Sequence, residues 1–341
     1  MESIYYVTTF LCHRTCPHCY EDRFRPYHGA ELTAVIEQSR SNFARIVANL
    51  PDTMMFRDRQ DGLKEKRGRI IIAGGEVLLP QIRESVLYPA LDLIHEKYSD
   101  RGGVNLIVQT TGDTMTPKMV GELLDHRVQV ISVSGIDSFH VGLETEAARD
   151  KITNRLRAMF ESNGMLEYQT VDPGIGTDRR REDQAYYSFW GANPGTWIGK
   201  LWPRGRAQMN ELSSAAIADN FCNGWSGGLK FLDYGHDGCE VSIEPNGNVY
   251  PCCMKTGLAI GNLLSETMES IIARHQSSPV YRAINAGQPQ RMGVEHGWSE
   301  EKFIEKSRTA LASGKVYENL CVGCDAFHRE VLAADFVQIG A

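Results

Sequence analysis

The chain has 341 residues, with 36 Lys and Arg against 43 Asp and Glu, for a formal charge of −7. A mildly acidic chain of ordinary apolar content (42 %) carries no global electrostatic footprint for nucleic acid and is far from the composition of a disordered one. No apolar run is long enough to cross a bilayer, and the N-terminus lacks a basic and then apolar secretion pattern. The expected location is cytoplasmic, with no membrane and no nucleic-acid partner. In that reducing compartment nine cysteines point to metal rather than to disulfides.

Taken in chain order, residues 4–9 form a short β-rich run that ends at a cysteine cluster. Residues 31–50 have helical spacing, with Val35, Ile36, Phe43, Ile46 and Leu50 near one side. Residues 57–69 read as a charged connection, and 70–73 as a buried strand closed by Gly74-Gly75-Glu76. A helix over 81–98 should kink or divide at Pro89, which lacks an N–H. Strands over 104–109, 128–133 and 165–171 alternate with helices over 117–125 and 144–160. Short apolar strands separated by helices predict parallel βαβ units, whose functional loops lie at the carboxyl ends of the strands. From Pro173 to Gly205 the pattern breaks into a long Gly-, Pro- and Trp-bearing loop, and residues 211–220 are expected to form a linker helix.

Cys12, Cys16 and Cys19 form C-x3-C-x2-C directly after the first strand. Three thiolates on one tight loop can hold three irons of a cubane and leave the fourth iron without a protein ligand. Zinc is the alternative, with His13 or His18 as fourth ligand. The run Cys12-His13-Arg14-Thr15-Cys16-Pro17-His18-Cys19-Tyr20, followed after the next strand by Gly74-Gly75-Glu76, resembles the radical S-adenosylmethionine (SAM) enzymes over about residues 4–170. That resemblance implies an α/β fold, a partial (β/α)6 TIM-like barrel. It also implies a catalytic [4Fe–4S] cluster on Cys12, Cys16 and Cys19. SAM binds its open iron through the amino and carboxylate groups, with Gly74, Gly75 and Glu76 near the amino group and Tyr20 near the adenine. An external one-electron donor of flavodoxin or ferredoxin type is implied as well. Thr110, Ser134 and Asp137, at later strand ends, are further candidates for SAM or a polar substrate. Asp137 or Ser138 could instead cap a helix.

Downstream, Val241 and Ile243 and then Val249 flank Pro245-Asn246-Gly247-Asn248, a hairpin signal that should draw Cys239 and Cys252 together. Cys321-Val322-Gly323-Cys324 is a short chelating pair. Spacing alone leaves iron–sulfur and zinc open for these four. The elements Gly247 to Cys252, Ile260-Gly261-Asn262 and the late C-x2-C resemble the SPASM or shorter twitch extension of radical SAM enzymes. This implies one auxiliary [4Fe–4S] cluster on Cys239, Cys252, Cys321 and Cys324. The expected division is a barrel over 1–205, a linker helix over 206–220, and over 221–341 a small SPASM/twitch domain of a β-hairpin plus helices. Cys222 and Cys253 are left over. Cys222 is an alternative ligand to Cys239, and either leftover thiol is a candidate hydrogen-atom donor in catalysis.

The implied activity is reductive cleavage of SAM to a 5′-deoxyadenosyl radical and abstraction of a hydrogen atom from a substrate. Only about three residues precede the first strand, which leaves no room for a leader-recognition domain there. The expectation therefore tilts to a small polar metabolite (aminoglycoside-, sugar- or nucleoside-like) and to dehydrogenation or epimerisation. Modification of a ribosomal peptide or a protein side chain is the alternative, and a zinc-bearing scaffold is the alternative from another class.

Overall fold

The structure is a computed structural model, and it describes residues 1–168, 184–192, 200–223 and 228–333. Strand β1 (Ser3–Val7) and helix α1 (Gly29–Ala48) open the chain. The charged segment expected as a connection is in fact a hairpin, β2 (Met55–Asp58) with β3 (Lys64–Arg67). Its tip turns at Gly62, where φ is 63°. The alternating burial that marks a strand is hidden there by the charged side chains. Next come β4 (Arg69–Ala73), α2 (Pro80–Ile82), a π turn over Arg83–Leu87, and α3 (Tyr88–Tyr98). The π turn absorbs the clash that Pro89 would make with the carbonyl four residues back, so the helical segment is divided as its proline requires.

Strand β5 (Asn105–Thr110), α4 (Pro117–Asp125), β6 (Val128–Val133) and α5 (Glu146–Ser162) follow the expected alternation. After them come β7 (Leu166–Glu167) and β8 (Tyr186–Phe189), the latter a strand inside the stretch read as loop. Helix α6 is Gly205–Met209, and no helix covers 211–220. In that second stretch the buried Ser213 bonds Leu201 O and Tyr317, the Ala216 N–H donates to the Asp219 carboxylate, and Ala216 O accepts from the Asn319 side chain, bonds that lie outside a helical ladder. Strands β9 (Glu240–Ile243), β10 (Asn248–Tyr250) and β11 (Gly261–Asn262) form the expected hairpin and one more short strand. Helices α7 (Met268–His275), α8 (Pro279–Asn285), α9 (Glu300–Lys306) and α10 (Leu320–Phe327) complete the chain, with the pair β12 (Arg308–Ala310) and β13 (Val316–Glu318) before α10.

One sheet joins nine strands in the order β11-β10-β9-β1-β4-β5-β6-β8-β7. Strands β9, β1, β4, β5, β6, β8 and β7 run parallel, and β10 and β11 are antiparallel at the edge. The fold is thus α/β, a mainly parallel, open, partial barrel followed by a C-terminal region of hairpins and helices. The two parts share a sheet: β9 is zipped to β1, Ser3 against Glu240 through Tyr6 against Ile243. Side-chain alternation sorts the strands into two faces. Ile4, Tyr6, Ile70, Ile72, Val108, Ile131, Val241 and Ile243 pack in the main core under the helices. On the other face Ile107, Val130 and Tyr186 cluster with Ile71 and Tyr168, and Tyr5 packs with Cys253.

A buried ionic knot ties the cysteine loop to the C-terminal region. Lys255 pairs with Glu21 and with Glu244 (2.8 Å), and Arg23 pairs with both carboxylates. Burial works against the Glu21 carboxylate, but hydrogen bonds and charges from Arg23 and Lys255 outweigh it and hold its pKa well below the usual range. Ionised Glu21 therefore contributes stability above the ordinary carboxylate pKa, and that contribution is lost as pH falls toward its depressed folded value.

Candidate functional site

The cysteine loop is fixed by its neighbours at the carboxyl edge of the sheet. Gly75 N donates to Thr9 O (3.0 Å) and Glu76 N to Leu11 O (2.8 Å). The glycine pair is needed for this crossing, because a Cβ on Gly75 would lie 2.2 Å from Leu11 O and 2.9 Å from Cys12 Cβ. One on Gly74 would lie 2.8 Å from Thr9 O. Glu76 is buried, and its carboxylate accepts from Leu78 N, Thr110 Oγ1 (2.7 Å), Thr111 N (2.8 Å) and Thr111 Oγ1 (2.7 Å). The expected Glu76 and Thr110 are therefore bonded to each other across two strand ends.

Two residues that sequence reasoning passed over hold the loop from outside. Arg206, on α6, donates to Cys16 O (2.8 Å), Asp22 O (2.7 Å) and Phe24 O (2.8 Å). Asp113, past the end of β5, accepts from His13 (2.7 Å) and Arg14 (2.6 Å) and shares the single Thr111 hydroxyl proton (2.6 Å) with Glu76. Burial works against the Asp113 carboxylate, yet the hydrogen bonds from His13, Thr111 and Arg14 win and keep it ionised well below the usual range. Nothing local marks Arg206 in the sequence; Asp113 follows the Thr-Thr-Gly strand end and could have been found there.

Cys12, Cys16 and Cys19 are on this loop, with Cys12 and Cys16 buried. Burial pushes the Cys12 thiol up to about 12 and the Cys19 thiol up to about 11. Such thiols release their protons to solvent only when a bound cation takes the sulfur. Beside them His18, Asp137 and His140 gather, their ligand-type atoms all within 4.8 Å of one another. Asp137 is buried and accepts from Phe139 N, Ala192 N and His140 Nδ1 (3.0 Å). It caps no helix: the following helix is α5, capped by Thr145. Ser134 N donates to Thr110 O (2.9 Å), a link between strand ends. Tyr20 packs edge-on against Trp202 (4.7 Å) and Phe24, with its hydroxyl 3.5 Å from that of Tyr5. Trp190 Nε1 donates to Ser188 Oγ (2.9 Å), and Trp197 is outside the described residues.

A second thiol set lines a small pocket, partly open to solvent: Cys222, Cys252, Cys321 and Cys324. This corrects the expectation for Cys239. Pairing in the β9–β10 hairpin stops at Ser242 opposite Tyr250, and Pro251 then turns the chain away from the sheet, carrying Cys252 with it. Cys239 stays behind in the core with no exposed surface, its thiol donating to Phe231 O (3.1 Å). Cys222, on a short 3-10 turn (Phe221–Asn223), takes the fourth corner. Burial raises all four pocket thiols, Cys321 to about 12 and Cys252 to about 11. The donor set of four soft sulfurs fits an iron–sulfur cluster. Cys253 is not among the residues lining the pocket; it is buried in a cluster with Cys252 and Met254, against which Tyr5, Trp202, Phe221 and Cys321 pack.

Comparison with known proteins bears on the second of these sites. Residues 237–325 match the SPASM family, an iron–sulfur cluster-binding domain. That span holds Cys252, Cys321 and Cys324; Cys222 comes to the pocket from outside it. No curated protein matches the chain. Among solved structures the chain is similar to BtrN in complex with AdoMet and 2-DOIA, at 15 % identity over 84 % of this chain and 88 % of that one, TM-score 0.44. It is also similar to anSMEcpe with bound AdoMet and Cp18Cys peptide (12 %, 98 % and 99 %, TM-score 0.41). A further similar structure is Streptococcus suis SuiB bound to precursor peptide SuiA (13 %, 88 % and 74 %, TM-score 0.42). Residues 237–325 thus match an iron–sulfur cluster-binding domain, and the early three-cysteine motif resembles that of radical SAM enzymes.

Exchange of single thiols separates the two candidate fourth ligands. Cys222→Ala is expected to lose about four irons, one cubane, from anaerobically prepared protein, and Cys239→Ala to keep them. Full iron in Cys222→Ala with loss in Cys239→Ala would restore the hairpin ligand set.

Proposed function

We propose that this chain cleaves SAM reductively at the Cys12, Cys16 and Cys19 loop and abstracts a hydrogen atom from a small polar metabolite, leading to dehydrogenation or epimerisation. The observation that carries this reading is the interlock of that loop with Gly74-Gly75-Glu76 at the carboxyl edge of a parallel sheet. Bound there, a [4Fe–4S] cluster supplies the electron that splits SAM into methionine and a 5′-deoxyadenosyl radical. The residues of the chain bind and orient. Thr110 and Thr111 hold the Glu76 carboxylate, and Gly74 and Gly75 let the cysteine loop cross the strand end at close range. Asp113 fixes His13 and Arg14 on the loop's outer side. Cys222, Cys252, Cys321 and Cys324 would hold the auxiliary cluster in a region beginning near residue 221. An external flavodoxin- or ferredoxin-type protein would deliver electrons. For the substrate, hydroxyl-bearing Ser132 and Ser188 alternate with core-facing Ile131, Val133 and Tyr187 and so share the face of Ile107, Val130 and Tyr186.

Anaerobically reconstituted protein is expected to contain about eight irons, two cubanes, and to release 5′-deoxyadenosine from SAM with dithionite. The Cys12→Ala, Cys16→Ala, Cys19→Ala variant should drop to background while keeping about four irons. Stoichiometric zinc without iron would make the chain a zinc scaffold instead.

Within this reading, Cys253 favours the epimerase branch. It packs with Tyr5 and is close enough to Tyr5 and Tyr20 to act electrostatically on both, as Cys19 does. Its S–H would give a hydrogen atom to a substrate radical, and one electron and one proton would then restore the thiol. Cys222, the other candidate donor, is assigned to the pocket set. In D2O, with a metabolite extract as substrate source, wild-type protein should yield a product one mass unit heavier. Cys253→Ala, with its iron intact, should not. Equal deuterium uptake by both removes Cys253 from this role.

A further inference from the structure

We propose that the Arg204–Asp325 pair sets the reduction potential of the auxiliary site, with Arg204 raising it and Asp325 moderating that rise. The inference rests on the reading that Cys222, Cys252, Cys321 and Cys324 hold an iron–sulfur cluster. Arg204 sits immediately before α6 and lines the same pocket as the four thiols. One guanidinium nitrogen, Nη2, is engaged by the carboxylate of Asp325. Asp325 directly follows Cys324 on α10. Arg204 Nε is shielded from water and has no hydrogen-bond partner.

A buried N–H without an acceptor costs free energy. In a pocket walled by four sulfurs, a sulfur acceptor supplied by a bound cluster would meet that need. The guanidinium stays charged at any working pH, so its effect is a fixed positive field. Reduction adds one negative charge to a cluster already ligated by thiolates. A fixed cation in a site of low dielectric favours the reduced form, and a fixed anion opposes it. The other cation lining the pocket, Lys255, is already held by Glu21 and Glu244 in the buried knot. That leaves Arg204 as the pocket cation whose field is directed at the thiols, acting on Cys321, Cys324 and Cys252.

The test uses the full chain with Cys12, Cys16 and Cys19 changed to Ala, so that only the auxiliary site can hold iron, and an EPR-monitored redox titration. Arg204→Gln is expected to shift the reduction equilibrium at least tenfold toward the oxidised form, about 59 mV for one electron. Asp325→Asn is expected to shift it the opposite way, and Arg204→Lys to fall between Arg204→Gln and the parent. Opposite signs are the signature that a merely structural pair would not give. The proposal is overturned if both Arg204→Gln and Asp325→Asn leave the midpoint unmoved, move it in the same direction, or lose the cluster. If the parent chain with Arg204 intact takes up no iron, the cluster reading itself is what fails.

Discussion

A single close crossing of two backbone segments underlies the whole site. The loop that carries Cys12 passes so near Gly74 and Gly75 that a side chain at either position would drive into the carbonyl of Thr9 or Leu11. Two main-chain hydrogen bonds fix the crossing, and Glu76, immediately after it, is held by the strand end that follows. The cysteine loop is thereby built on the rigid edge of a parallel sheet rather than on its own contacts. Arg206 and Asp113 then hold it from two further sides.

The second constraint is that the C-terminal region does not stand apart. β9 continues the parallel sheet on the free edge of β1, so the position of the SPASM hairpin is referred to the same strand that launches the cysteine loop. The Glu21–Arg23–Lys255–Glu244 knot makes the same connection through side chains. Desolvating the charges of Glu21, Glu244 and Lys255 is costly, and the knot is tolerable because each has an opposite-charge partner, with the half-exposed Arg23 closing it toward solvent. The consequence is a fixed relation between the two thiol sets, with Tyr5, Tyr20, Trp202 and Cys253 filling the space between loop and pocket.

Much of this was legible in the sequence because local rules and the global fold agree. Residues 117–125 and 128–133 appear as helix and strand at the expected limits, since Thr116 caps the one before Pro117 and the β-branched Val128, Val130, Ile131 and Val133 mark the other. The three-cysteine loop and the glycine pair were legible because each is contiguous. Other features depend on long-range neighbours. Cys222 reaches its pocket only because a 3-10 turn far from the C-x2-C is folded against it, and no spacing rule encodes that. Cys239 looked like a ligand because the hairpin was real, but its chain direction at Pro251 was not readable from the turn. β2 and β3 escaped notice because their surface is charged, and Arg206 because its partners are main-chain carbonyls of a distant loop.

The claim at the centre is that the Cys12, Cys16 and Cys19 loop carries a cluster with one iron open to SAM. Electron–nuclear double resonance on the reduced, auxiliary-free protein (Cys222→Ala, Cys252→Ala) with SAM labelled with 15N at its amino group tests it most directly. The account predicts a hyperfine coupling from the label to the cluster. A well-formed cluster signal that shows no coupling to bound SAM would contradict it.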